Sequence, residues 1–414
     1  MAILRPFQAI RPQASLAGRV AALPYDVMNS QEAREAVKGN PYSFLHVDKA
    51  EIDLEASVDI YDQQVYEKAA QNLRQMVEKG VCLQEETPCF YIYQQVMDGR
   101  VQNGIVGCAS IDDYLQNHIK KHELTRADKE ADRIRHVDIC DANTGPIFLT
   151  YRAVPQITER VDSWIDSHQP LYDFTAEDGI AHRVWVVDSQ DEIAFFKEAF
   201  SQVPDFYIAD GHHRAASAVR VGEKRREEHP DYNGSEEFNY FLSVLFPDEQ
   251  LRILDYNRVV HDLNGMGKEE FLEKLGQIYQ CQEVQGPCRP KEKHTMGMYL
   301  DGQWYHCRVK EGIVDENDPV GRLDVSVLQN QVLTPILGIE DPRTSSRIDF
   351  VGGIRGLGEL EKMVDSGMAA AFAMYPTGLN DLMDIADGGY IMPPKSTWFE
   401  PKLRSGLFVH RLNG

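Results

Sequence analysis

The sequence predicts an α/β (α+β) fold, and three observations carry that reading. Asp-Gly pairs at 98–99, 178–179 and 301–302 stand beside runs rich in β-branched and aromatic residues, the pattern of antiparallel hairpins. Other stretches place apolar residues at helical spacing, the longest over 58–79. Over 206–214 an apolar run ends in Asp210-Gly211 and passes into alanine-rich sequence, which reads as strand, turn and helix in succession.

In chain order, extended runs are expected around 3–10 and 19–23, followed by a turn at Pro24-Tyr25-Asp26. Asn29 and Glu32 form the two ends of a capping box for a helix over 31–38, which Gly39-Asn40-Pro41 stops. Over 58–79 Val65, Ala69, Leu73 and Met76 mark the apolar face of a long amphipathic helix, with Gly80 where a C-cap belongs. A hairpin follows over 90–111, then a strand over 183–187. Ser189 and Glu192 predict a second capping box and a helix to about 202. Strands over 241–246 and 251–254 flank a Pro247-Asp248 turn, and a last hairpin covers 296–309. The resulting segments are 1–50, 51–200, 201–260, 261–320 and 321–414: strands and helix of a core, an inserted α/β region, the strand-turn-helix, a small α/β region, and a C-terminal region expected to close the active site.

Bulk properties exclude several classes. With 414 residues, 43% of them hydrophobic, the chain has ample material for a core. Lys+Arg of 43 against Asp+Glu of 65 gives a net charge of -22, so a polyanion meets a repulsive average field and nucleic acid is not an expected partner. No run of about twenty apolar residues occurs, so no membrane span is expected, and the cytoplasm is the expected location. The seven cysteines show no two-residue spacing of the zinc or redox type and are expected to be reduced thiols. A homodimer is compatible with these properties.

The chemistry-bearing residues cluster in four places. Asp210-Gly211-His212-His213-Arg214 opens a helix, where unpaired amides and partial positive charge suit a phosphate. Gly211 lets the backbone approach, Arg214 adds a forked guanidinium, and Asp210 suits Mg²⁺ or an orienting contact to a histidine. His212 or His213 can donate to a phosphoryl oxygen. Upstream, Asp26 and Glu32 are the candidates for a general base, although a turn and a capping box explain them as well. Arg126, Lys129 and Arg133 recur at spacings of three and four, as a phosphate clamp or a solvated charged face. Lys395 and Lys402 lie in a proline-stiffened loop suited to a site wall, and Lys395 is taken there as a phosphate contact.

These residues also carry a resemblance. Tyr25-Asp26-Val27, the run from Asn40 to Val47, Thr125-Arg126 with Asp132-Arg133, Ala209 to Arg214, and Met392 to Phe399 with Pro401-Lys402 resemble the recurring motifs of a bacterial and archaeal family known as a domain of unknown function. The run from Asp210 to Arg214 is also similar to the phosphate motif of the ParB and sulfiredoxin superfamily, which includes free-serine kinases. That resemblance implies a ParB/sulfiredoxin-like nucleotide core with a large α/β insertion, because the motif stands much later here than in the compact kinases. It implies two catalytic carboxylates, Asp210 and either Glu32 or Asp26. Sulfiredoxins carry cysteine where His212 stands, so their chemistry is not implied.

The expected function is therefore Mg²⁺-dependent phosphoryl transfer from ATP, ADP or pyrophosphate to the hydroxyl of a small molecule, free L-serine, giving O-phosphoserine. The rivals are a nucleotide-binding regulatory module of ParB type and a hydrolase of phosphate esters or anhydrides.

Overall fold

The computed structural model describes residues 2–413, which divide into two compact units. The first comprises the chain up to Lys121, Thr125–Leu251 and the chain from Pro401 onward; the second comprises His122–Leu124 and Arg252–Glu400. Helices and sheets are mixed throughout, so the α/β class holds.

The first unit is built on a nine-stranded sheet. Its strands run in the order Ile119–Lys120, Phe206–Asp210, Ile147–Tyr151, Tyr240–Pro247, Arg100–Ser110, Phe90–Met97, Ala181–Val187 and Tyr172–Thr175, with Leu4–Arg5 paired to Arg100–Ser110. The hairpin at its centre turns on Asp98 and Gly99, both at positive φ (+52° and +76°), which only such a pair tolerates cheaply. Phe206–Asp210 runs antiparallel to Ile147–Tyr151, with a register shift between Ile208 and Asp210. Leu149, Phe206, Ile208 and Leu245 bury against Phe196 and Phe200 of the Gln190–Ser201 helix. Burying such side chains stabilises by roughly 1.5–3 kcal/mol each, which fixes the end of the Phe206–Asp210 strand.

Two helices of this unit pack together, Ala127–Cys140 and His212–Glu228. Ion pairs from Asp138 to Lys224 (2.6 Å) and Arg225 (3.1 Å) join them at one end, and Ser217 Oγ donates to the Glu130 carbonyl (3.2 Å) nearer the other. The third helix, Gln63–Glu78, starts later than its periodicity predicts because Asp62 caps it, accepting the Gln64 N–H at 3.0 Å.

Four expectations need correction. Residues 19–23 are not a strand: Ala17–Val20 is a helical turn, and pairing is limited to a bridge between Ala22 and Ser405. The helix after Ser189 forms without a side-chain bond from its N-cap, so no capping box closes there. The strand expected over 251–254 shrinks to Ile253–Leu254 and pairs with Trp398–Phe399 in the second unit, because a 3₁₀ turn at Asp248–Gln250 ends the first. The cysteines are not all reduced. Cys281 and Cys307 are directly opposed on neighbouring antiparallel strands and form a disulfide, a pairing 26 residues apart that spacing rules do not detect.

The second unit has a six-stranded antiparallel sheet in the order Tyr279–Val284, Gln303–Val309, Thr295–Leu300, Ala370–Met374, Tyr256–Val260 and Ile348–Gly352. The expected turn at Asp301-Gly302 is present, with φ of +50° and +75°. Val259, Tyr299, Trp304, Val351, Leu360 and Val364 form its core. No helix of the described residues is long and apolar enough to cross a membrane.

Candidate functional site

The site grows from one strand end. Four buried residues, Phe206 to Ala209, commit the strand to the sheet, and its fifth residue, Asp210, emerges with its side chain 28% exposed. Gly211 then turns the chain with φ +96°, a left-handed conformation natural only to glycine. A Cβ here would also meet the Arg214 guanidinium, with Nε at 3.1 Å and Cζ at 3.2 Å. Gly211 is thus required twice, by its own backbone and by the side chain folded back over it. The helix His212–Glu228 begins at once, with Ala215 N–H donating to Gly211 O at 2.9 Å. Residues 212–214 stand at the positive end of this helix's dipole.

Two cations flank the Asp210 carboxylate, Lys402 Nζ at 3.4 Å and Arg214 Nη2 at 3.5 Å, both on Oδ2. Burial works to raise the Asp210 pKa, but Lys402 first, then Arg214 and His212, hold it well below the usual carboxylate range. His212 is buried and its imidazole is pushed down to about 4, chiefly by desolvation, with His213 and Lys121 adding to the shift and Asp210 opposing it. At neutral pH His212 is therefore a neutral N–H donor. Arg214 donates to the Pro146 carbonyl and keeps one buried donor, Nε, without a hydrogen-bond partner. Burial would lower the Arg214 pKa, but Asp210 and then Asp26, Tyr25 and Asp48 outweigh it, so the guanidinium stays charged.

Behind Arg214 lies a cavity of about 30 Å³, room for one or two waters, whose wall includes Tyr25, Asp48, Arg133, Thr144, Arg214 and Ser405. Arg133 brings a second buried guanidinium to it, 4.1 Å over the Tyr25 ring and 2.9 Å from Asp132. Asp48 accepts the Thr144 hydroxyl at 2.8 Å. The Tyr25 hydroxyl is pushed well above its ordinary value by burial first and then by the charge of Asp26.

A family model described as a protein of unknown function, DUF1015, matches residues 4–326, most of the chain. The chain belongs to that family. A comparison with curated proteins finds no match. Similar solved structures include SbnI with a C-terminal truncation from Staphylococcus aureus, at 12% identity, TM-score 0.40, over 74% of this chain and 87% of that one. A free serine kinase in complex with AMP matches at 12% identity, TM-score 0.37, over 75% of this chain and 91% of that one. A conserved hypothetical protein from Pyrococcus furiosus matches at 12% identity, TM-score 0.37, over 74% and 94%.

In this DUF1015 chain the residues singled out from the sequence do not all converge. Asp210, Gly211, His212, His213 and Arg214 form one strand-turn-helix, and Asp26 acts electrostatically on Arg214 and Tyr25. Glu32 is occupied elsewhere: its carboxylate accepts the Asn29 N–H at 2.8 Å, closing the capping box. Arg126 does not share a helical face with Arg133. It precedes the helix as an extended N-cap residue and pairs with Asp128 (2.9 Å) on the surface. Lys395 belongs to the second unit, where its ammonium lies 5.7 Å from the Tyr256 ring centroid. The lysine beside Asp210 is Lys402, seven positions on in the same motif; the sequence reading named it and Arg133 but chose Lys395 and Arg126 as the phosphate contacts.

Among the described residues no group of three or more His, Cys, Asp or Glu is placed to hold a metal. Mg²⁺ in phosphoryl-transfer sites usually takes one or two carboxylates besides phosphate oxygens; Asp210 is the carboxylate of this turn, and its Oδ2 is shared by Lys402 and Arg214.

Proposed function

We propose that this chain is a phosphotransferase that moves a terminal phosphoryl group from a nucleotide or pyrophosphate to the hydroxyl of free L-serine, on a core of the ParB type. The observation that supports it most is the convergence of Arg214 and Lys402 on Asp210 at the start of the His212–Glu228 helix, with Asp26 acting electrostatically on the same guanidinium. A phosphate carries the charge that these donors are arranged to take.

In this reading the helix N-terminus and Arg214 bind the donor's phosphates, and His212 donates a neutral hydrogen bond as charge gathers on them. Asp26 takes the serine hydroxyl proton, the serine oxygen bonds to phosphorus, and the bridging P–O bond to the leaving phosphate breaks. Asp26 is favoured over Glu32 because Glu32 already accepts a backbone N–H. Mg²⁺, when bound, neutralises charge on the phosphate oxygens, and Asp210 would hold it. Lys402 positions the Asp210 carboxylate.

Phosphorus NMR tests this directly. The protein with Mg²⁺ is incubated with L-serine, threonine or homoserine against ATP, ADP and pyrophosphate. A new phosphomonoester signal that requires serine supports the reading. Inorganic phosphate released without any acceptor would instead identify a hydrolase, and donor binding with neither product a regulatory module.

A further inference from the structure

Lys402 lies in a stretch that forms neither helix nor strand, yet its ammonium is held 3.4 Å from Asp210. What holds it starts in the central hairpin of the first unit. Side chains of a strand alternate between faces, so Tyr91, Tyr93 and Gln95 of Phe90–Met97 share one. Tyr91 and Tyr93 pack against Phe408, which lays the end of the chain along that face.

One position farther along the face, the sheet carries a buried polar row. Gln95 stands opposite Gln102 on one neighbouring strand and opposite His182 on the other, and all three side chains are buried. Burying an amide is costly unless its hydrogen bonds are made. Here they are: Gln102 Nε2 donates to Gln95 Oε1 at 3.0 Å, and Gln95 Nε2 donates to the Lys402 carbonyl at 3.0 Å. Two residues on, Arg404 Nε donates to His182 Nε2 at 3.2 Å, and the Arg404 guanidinium also pairs with Asp178. His182 Nδ1 meets the Tyr93 hydroxyl at 2.8 Å. The row thus grips the chain at two points, residues 402 and 404, and the grip at 402 is on the main chain of the lysine itself.

We infer that Gln95, backed by Gln102, is a positioning residue: its amide fixes the Lys402 main chain so that the ammonium reaches Asp210. The central hairpin thereby sets the charge at the 210–214 turn. The consequence for donor binding rests on the phosphotransferase reading; the placement of Lys402 does not.

Acetic anhydride labelling of the full chain, read by mass spectrometry, tests it by following Lys402 against Lys49. Lys49 is a matched reference in the same unit, its side chain 12% exposed and paired with Glu51. In Gln95→Met, Lys402 should label roughly three to ten times faster than in the wild type, the factor that one intramolecular hydrogen bond is worth. Lys49 should keep its rate, and ADP should bind the variant more weakly by a similar factor. If Gln95→Met fails to fold, Gln102→Met is read in the same way. An unchanged Lys402 rate in the folded variant, or an equal rise at Lys49, overturns the assignment. Faster labelling of Lys402 alone with ADP affinity intact upholds the positioning role and counts against the phosphate site.

Discussion

Lys402 stands 3.4 Å from the Asp210 carboxylate across 192 residues of sequence, so the last stretch of the chain supplies a charge to the turn at 210–214. Replacing it removes the largest influence holding Asp210 ionised. In Lys402→Met the Asp210 pKa should rise, measured by carboxyl-carbon NMR titration, and donor affinity should fall because the carboxylate is no longer held in place. An unmoved titration would show that Lys402 does not position Asp210.

Arg214 is fixed by geometry that lysine does not reproduce. Its fork reaches the Pro146 carbonyl and Asp210 at once while covering Gly211. Arg214→Lys should therefore bind a donor nucleotide nearly as poorly as Arg214→Ala. Nucleotide titrations of the two variants compare them; full rescue by lysine would reduce Arg214 to a point charge.

Gly211→Ala incurs two costs that add. The left-handed backbone alone costs about 1–2 kcal/mol for a residue with a Cβ, and the new methyl displaces Arg214. The unfolding free energy from urea titration should fall by at least that amount, with donor binding lost as well. A stability loss that leaves donor binding intact would separate the turn from the site.

Asp26→Asn and Glu32→Gln should part company. If Asp26 is the base, kcat falls by roughly 10²–10⁴-fold in the first. Glu32→Gln weakens only a cap bond, about 0.5–2 kcal/mol of stability, and leaves kcat within a few-fold. The reverse pattern, read from initial rates of phosphomonoester formation, would hand the role to Glu32.

Acid should destabilise the first unit in a defined window. His212 is neutral in the fold, at about 4 against an ordinary 6.5, so its contribution is complete above pH 6.5 and is lost as pH falls through about 4. The shift corresponds to on the order of 3 kcal/mol. Urea midpoints between pH 7 and 4 should drop more steeply for the wild type than for His212→Asn. Parallel curves would show that His212 is hydrated rather than buried.

Most local signals were legible in the sequence, the Ser189 cap and the strand over 19–23 excepted, and long-range ones were not. The Asp-Gly turns, the Asn29–Glu32 box and the strand-turn-helix at 206–228 each depend on a few neighbouring residues, and each forms as read. Lys402, Arg133 and the Cys281–Cys307 bond depend on which strands and helices meet, which no window of sequence contains. Arg126 misled because its spacing to Arg133 assumes a helix that begins only at Ala127. The two units interleave in sequence, since the chain returns at Pro401 to the first. The expected boundary at 321 falls inside Arg252–Glu400, which belongs to one unit.

The central claim is that the 210–214 turn receives a phosphate. Calorimetric titration of ADP into the wild type and Arg214→Ala tests it most directly. The account predicts saturable binding by the wild type and a loss of roughly 1.5–3 kcal/mol in the variant, the worth of a charge-assisted hydrogen bond. Equal affinity in the two proteins would contradict it.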